Sequence, residues 1–378
     1  MLRAYKYLIK PTPEQASLLN QYFGICRWVY NWALNKKIED YKRQKEESVE
    51  KPKILSAFYE VARELPEIKK TEGFEWVKNA PALSLIYELQ YLDRAYSNFF
   101  KRVKQGSGGG FPKFKSRYDR QSFTDKFQEI DFDTSKVKLP KLGWVEARLH
   151  RRFHGVGKSM TVSRDSTGKH YVSIIVEDGL TEPTPPEINN VLGIDKGTHN
   201  LLTLSNGETV ANPKFFEKSQ QRLAVLQRRL ARKTKGSKAR EKAKLLVAKQ
   251  HERIANQRAD YLHKTSKAII DKPYDTVAVE GFNVRELMEG KKYGNKKIAD
   301  VGWGQLTTQL EYKSKIKGKN FIKLDKNQKT NQTCLKCGQA NPEVKYWTTK
   351  WECKHCNHLN IKGVDSAKVV AEFAKNQA

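Results

Sequence analysis

Val191-Leu192-Gly193-Ile194-Asp195-Lys196-Gly197 is an apolar strand that ends in an acid and then in a glycine, where the backbone can turn. Val277-Ala278-Val279-Glu280-Gly281 repeats the pattern. Acids at the ends of adjacent buried strands are costly unless a cation neutralises them, and a divalent metal is one such cation. Either acid alone could be solvated at its strand end. Together, on a basic chain, Asp195 and Glu280 point to a metal site. Outward from Val191, two more strands flank Ser205-Asn206-Gly207-Glu208, and basic helices run from about 213 to 268. The strand Thr276 to Glu280 comes next, followed by a helix from roughly Gly304 to Ile316, a strand Phe321 to Leu324 and a closing helix near 365 to 375. This order predicts a mixed α/β sheet.

Upstream the signals are different. Tyr5, Tyr7 and Ile9 alternate as in a strand, and Thr12-Pro13-Glu14-Gln15 is a helix start with a capping threonine, proline at the first position and glutamine at the third. Leu18, Leu19, Phe23, Cys26, Val29, Tyr30 and Leu34 form one helical stripe, and Leu85, Leu89, Leu92, Tyr96 and Phe99 form a second. Residues 13 to 104 therefore read as a helical unit. Gln105 to Gly110 is a glycine-rich break, after which short alternating segments predict a small β-barrel that includes the N-terminal strand. Met160 to Arg164 and His170 to Val176 form its clearest hairpin, and residues 182 to 186 close the module. No internal repeat is present.

The 378 residues hold 71 Lys and Arg against 42 Asp and Glu, a net charge of +29 distributed along the chain. Polyanions are the natural partner of such a chain, with affinity that falls steeply as salt rises. A hydrophobic content of 38% suffices for real cores, which argues against disorder. A mean hydropathy of -0.73 and the absence of a long apolar run predict a soluble, cytoplasmic protein without a membrane partner.

Cys334-Leu335-Lys336-Cys337 and Cys353-Lys354-His355-Cys356 carry two residues inside each pair and fifteen between the pairs. Two thiolates from each knuckle complete a tetrahedral Zn2+ site with no open position, so Cys334, Cys337, Cys353 and Cys356 read as a structural zinc ribbon. His355 and His358 are surplus to it. Cys26 stands alone and is expected to be buried.

The Gly-Ile-Asp strand, the Val279-Glu280-Gly281-Phe282-Asn283-Val284 segment, Gln309-Leu310-Glu311-Tyr312-Lys313 and the Gln332 to Gly338 knuckle together resemble the TnpB family, transposon-encoded relatives of type V CRISPR nucleases. Gly24 to Leu34, Phe111 to Ser116 and His251 to Arg258 are similar to further family motifs, so the likeness runs nearly end to end. The resemblance implies an α/β multidomain protein whose RuvC domain, an RNase H-like mixed sheet, carries an inserted zinc ribbon beside a wedge β-barrel and a helical recognition domain. The expected boundaries are 1–10 and 111–186 for the wedge, 11–110 for recognition, 187–328 and 358–378 for RuvC, and 329–357 for the ribbon. It also implies a guide RNA derived from the transposon end, one protein per guide, and a double-stranded DNA target with a short flanking motif at the bacterial nucleoid. Active members cut DNA with three RuvC carboxylates that hold two Mg2+ ions.

The third carboxylate of the family lies seven residues after the last zinc cysteine, in an Arg-Asp-x-Asn-Ala-Ala motif. Counted from Cys356, that position is Gly363; Lys362 stands for the arginine, Asp365 for the asparagine and Ser366-Ala367 for the alanines. Drift at neighbouring positions is the mark of natural decay. Mg2+ binding is therefore expected to be weak or absent, and the resemblance then implies a nuclease-dead, RNA-guided DNA-binding protein that represses transcription by occupancy. In the alternative, Asp365 joins Asp195 and Glu280 as the third ligand of an active endonuclease, although two steps along a helix turn a side chain about 200° away. A guide-free zinc protein that binds nucleic acid is the third reading.

Basic residues offer candidate nucleic-acid contacts. Arg27 and Asn31 sit among Trp28, Tyr30 and Trp32, where an aromatic stripe more simply reads as core. Lys113, Lys115 and Arg117 flank Phe111 and Phe114 and make a better phosphate-binding surface. Arg228 and Arg232, interleaved with Leu223, Leu226 and Leu230, read as the solvated face of a helix that can also meet a heteroduplex.

Overall fold

The computed structural model describes residues 1–47, 53–106, 110–281, 295–345 and 348–377. The chain divides into two compact units, Met1–Leu180 and Thr181–Ala378. Residues 107–109 of the glycine-rich break and Phe282, Asn283 and Val284 of the Glu280 motif lie outside the described residues.

In the first unit, β1 (Leu2–Lys10) leads into α1 (Pro13–Glu46), followed by a short α2 (Leu65–Ile68) and α3 (Ala82–Lys104). The capping signal acts as expected: the Thr12 hydroxyl accepts from the Gln15 amide at 3.3 Å, and the Gln15 side chain accepts from the Thr12 amide at 3.1 Å. Six strands follow, β2 (Gln121–Lys126), β3 (Glu129–Asp131), β4 (Lys136–Leu139), β5 (Gly143–Arg148), β6 (Val156–Arg164) and β7 (His170–Glu177). With β1 they make one antiparallel seven-stranded sheet in the order β2-β6-β7-β1-β5-β4-β3. Tyr7 and Ile9 of β1, Phe123, Met160, Val162, Val172 and Ile174 share one core with Leu19, Phe23, Cys26 and Val29 of α1 and Leu85, Leu89 and Leu92 of α3. The helices are thus built onto the sheet by a common apolar interior, and Cys26 is buried in it.

The second unit holds β8 (Val191–Lys196), β9 (Asn200–Leu204), β10 (Thr209–Ala211), α4 (Phe215–Ala231), α5 (Lys238–Ile270) and β11 (Thr276–Val279). After these come α6 (Asn295–Val301), α7 (Trp303–Ile316), β12 (Asn320–Lys323), the ribbon strands β13 (Lys350–Glu352) and β14 (Leu359–Ile361), and α8 (Val364–Lys375). The five-stranded sheet runs β10-β9-β8-β11-β12, with β8, β11 and β12 parallel and β9 and β10 antiparallel to them. This is the mixed sheet that the strand and helix order predicts.

Alternation along the strands assigns each face its cover. Leu192, Ile194, Val277 and Val279 pack with Leu262 and Ile269 of α5 and with Trp303, Leu306 and Leu310 of α7. Val191 and Ala278 face the other way, onto Val370, Ala371 and Ala374 of α8. At Gly193 a Cβ would stand 1.9 Å from the Ala367 carbonyl oxygen, so only glycine lets α8 lie this close to β8. Among the described residues, no helix is long and apolar enough to cross a membrane.

Candidate functional site

The period of two that sends Val191 and Gly193 toward α8 sends Asp195 there too, and Ala278 does the same for Glu280. The strands pair Gly193 with Ala278 and Ile194 with Val279, and the Glu280 amide continues the ladder to the Ile194 carbonyl at 3.3 Å. The two acids therefore emerge side by side. Both line a cleft of about 750 Å3 together with Lys196, Thr203, Lys326, Lys329, Asn331, Lys362 and Gly363. Asp195 is 7% exposed and Glu280 9%.

Glu280 is well partnered: its Oε1 accepts from the Thr330 hydroxyl at 2.7 Å and from the Asn331 amide at 3.0 Å. Oδ1 of Asp195 is buried and, among the described residues, accepts no hydrogen bond. Burial, and then the neighbouring Glu280 charge, push the Asp195 carboxyl up to about 7, while Lys362 and Lys196 pull the other way. Glu280 is also held above the usual range, chiefly by burial. Burial brings the Lys196 ammonium down to about 8, against the attraction of Glu280. Lys196 and Lys362, which the sequence reading does not name as site residues, are the cations beside the pair; their signal was position, since Lys196 directly follows Asp195 and Lys362 stands at the arginine of the motif.

A carboxyl that holds its proton more tightly in the folded chain than in the unfolded one loses stability as pH rises from the unfolded value near 4 to about 7. The loss is complete above that window and amounts to at most about 4 kcal/mol. Asp195→Asn is therefore expected to raise the melting temperature at pH 8 in magnesium-free buffer, and to raise it less at pH 5. An equal shift at both values would show that burial of this charge is not what strains the cleft.

Gly363 lies where the sequence count puts the third acid, on the cleft wall at the start of α8. Its backbone has φ 92 and ψ -74, and a Cβ there would sit 3.2 Å from the Thr203 hydroxyl oxygen. Asp365 is turned elsewhere: its Oδ2 accepts from the Ile361 amide at 2.7 Å, and Lys368 lies 3.7 Å from Oδ1. It is not part of the cleft wall.

The four cysteines converge. All four Sγ atoms lie within 4.8 Å of one another, and the Cys334–Cys356 and Cys337–Cys353 pairs are 3.6 Å apart. Tetrahedral thiolates about 2.3 Å from a zinc ion are about 3.8 Å from each other, so the set fits the ion. The two knuckles repeat one design, with a left-handed residue after the second cysteine, Gly338 at φ 69 and Asn357 at φ 54. Side-chain amides of Asn341 and Asn360 donate to the Cys353 and Cys334 sulfurs at 3.6 and 3.5 Å, partners of the kind that orient metal ligands.

The basic candidates separate into two groups. Arg27 donates to the Gln121 side chain at 2.7 Å, Asn31 bonds both backbone groups of Lys115 at 2.7 and 2.9 Å, and the Lys115 ammonium pairs with buried Glu88. These three residues hold the first unit together. Lys113, Arg117, Arg228 and Arg232 are exposed.

Three family models match the chain: "Probable transposase" over residues 170–291, "Helix-turn-helix domain" over 1–46, where the chain forms a strand and one unbroken helix, and "Cas12f1-like, TNB domain" over 303–368. A putative RNA-guided DNA endonuclease, InsQ, of Escherichia coli strain K12 is 31% identical over 97% of this chain and 91% of its own length. A putative RNA-guided DNA endonuclease of Streptomyces pristinaespiralis is 32% identical over 97% and 88%. A Cas12f1 solved in complex with single guide RNA and target DNA shares the fold, with a TM-score of 0.57 and 17% identity over 95% of this chain and 83% of that one.

Proposed function

The chain belongs to the TnpB family of transposon-encoded proteins, and from that premise we propose that it is an RNA-guided DNA-binding protein with a degenerate RuvC site, which represses transcription by occupying its target. Guide RNA and double-stranded DNA with a short flanking motif are its partners, as the name of each relative, an RNA-guided DNA endonuclease, suggests. The observation that carries the reading is the cleft wall: two carboxylates, lysines beside them, and Gly363 where the third acid belongs. Two Mg2+ ions need anionic oxygen ligands on both, and this donor set does not fit the pair. Asp195 and Glu280 are here the remnant of a catalytic set, balanced in charge by Lys196 and Lys362.

Binding needs none of the missing chemistry. Affinity for guide and target rests on phosphate neutralisation, stacking and base pairing. In this reading residues 11–110 form the recognition part, 1–10 with 111–186 the wedge, 187–328 with 358–378 the RuvC part and 329–357 the ribbon, which folds around Zn2+. The names of the relatives favour a second reading, an active endonuclease with Asp365 as third ligand. Purified ribonucleoprotein, incubated with matched target and Mg2+, separates the two. The expected result is a stable complex on uncut DNA, unaltered by Asp365→Ala; stoichiometric breaks that vanish in Asp365→Ala establish the second reading instead.

A further inference from the structure

Phe111 to Arg120 forms a loop between α3 and β2, mostly exposed yet clamped from within the protein. Asn31 grips it by both Lys115 backbone groups at 2.7 and 2.9 Å. The Lys115 ammonium is drawn inward to Glu88 and over the Tyr30 ring, 4.1 Å from its centroid. Gln121, held by Arg27, donates to the Asp119 carbonyl at 2.7 Å, and the Ser116 amide donates to the Asp119 carboxylate at 2.6 Å. Phe111 leans edge-on against Tyr96 and Phe99 at 5.5 and 5.6 Å.

What the clamps hold outward is a row of rings and cations. Phe114 is 52% exposed and Tyr118 73%. The Arg117 guanidinium lies 4.9 Å from the Tyr118 ring centroid and donates to its hydroxyl at 2.8 Å, which fixes both. Lys113 and Arg120 are exposed beside them. Exposed aromatic surface on a highly charged protein calls for an occupant. Rings with adjacent cations match a nucleobase joined to phosphates, the arrangement by which proteins stack unpaired bases.

We propose that the Phe111–Arg120 loop is a prebuilt stacking platform for unpaired bases of RNA, with Phe114 and Tyr118 as the stacking faces and Lys113, Arg117 and Arg120 on the phosphates. Asn31 is its positioning residue. RNA is the occupant because the platform is held by contacts within the protein and exposed in the chain alone, as suits a permanently bound partner; in the proposed function that partner is the guide, and on that reading this assignment rests. Ordering the loop within the protein means that binding need not supply the entropy of fixing it.

The test uses the full chain and short single-stranded RNA and DNA carrying 2-aminopurine, a base whose fluorescence is quenched on stacking. Quenching of the RNA is expected with the wild type. Phe114→Ala and Tyr118→Ala should each weaken binding by about tenfold and remove quenching, Phe114→Tyr should retain it, and Phe114→Leu should not. Both rings are exposed, so unchanged melting curves check that the variants fold. Asn31→Ala should reduce quenching and speed tryptic cleavage after Arg117, whereas a merely structural asparagine would leave quenching intact. Unaltered quenching in the Phe114→Ala and Tyr118→Ala variants, or quenching of the DNA strand alone, overturns the proposal. The assay needs neither guidance nor cleavage, so failure of guided DNA binding with the quenching pattern intact would count against the proposed function and not against the platform.

Discussion

Stripping zinc, or replacing Cys353 by alanine, is expected to unfold residues 329–357 while the two larger cores stay folded. Among the described residues the ribbon's buried apolar set is small: Cys334, Trp351 and Cys353, with Val344, Cys337 and Cys356 packed against it. Zinc binding in modules of this size supplies about 10–16 kcal/mol of apparent folding free energy, far more than so small an apolar set can replace. Four thiolates within 4.8 Å of one another would repel once the ion leaves. The effect should reach the cleft, because Thr330 and Asn331, which hold Glu280, immediately precede the first knuckle. Zinc content measured with limited proteolysis checks this. If the metal-free chain resists cleavage between 329 and 357 as well as the native one does, the ribbon is stabilised by packing and zinc is incidental.

Gly363→Asp alone is expected to leave target cleavage undetectable and to lower stability by about 1–3 kcal/mol. Gly363 adopts φ 92 and ψ -74, a backbone geometry that is rare and strained for residues with a Cβ. The added Cβ would also press on the Thr203 hydroxyl at 3.2 Å. An aspartate there carries the right charge on the wrong backbone, and Lys196 and Lys362 remain beside the acids to offset it. Exchanging Lys362 to Ala367 together for the Arg-Asp-x-Asn-Ala-Ala pattern should do more, because the start of α8 can then take a conformation suited to the acid. Metal-ion sites of this type contribute several kcal/mol to the transition state, so the gap between a cutting and a non-cutting cleft is on the order of a thousandfold in rate. Full cleavage by the single variant would show that the acid alone, and not the whole motif, decides whether the cleft cuts. Melting temperature read beside strand breakage separates strain from lost chemistry.

Much of this was legible in the residues. The Thr12 capping signal, the α1 and α3 stripes and the spacing of the cysteines all report local geometry, and each is found where its periodicity put it. Leu18 is the exception in its stripe: it is exposed because it lies at the edge of the face that α1 buries. Asp195 and Glu280 meet because the same alternation that hides Leu192 and Val277 on one face turns both acids to the other. Spacing along the chain does not show the partners of Arg27, Asn31 and Lys115, which are Gln121, the Lys115 backbone and Glu88, each tens of residues away.

By itself the sequence determined the long helices α1 and α3, the strands that carry Asp195 and Glu280, and the convergence of four thiols, each from spacing along a few turns of chain; that a glycine stands where a third acid is expected follows from the family resemblance. Only the tertiary structure decided that Asp365 is committed to the Ile361 amide, that Thr330 and Asn331 hold Glu280, and that Asn31 secures a loop 84 residues away. Such contacts join side chains that folding brings together from distant positions. The energy of each depends on burial and approach, quantities that do not exist until the sheet and its helices have closed on one another.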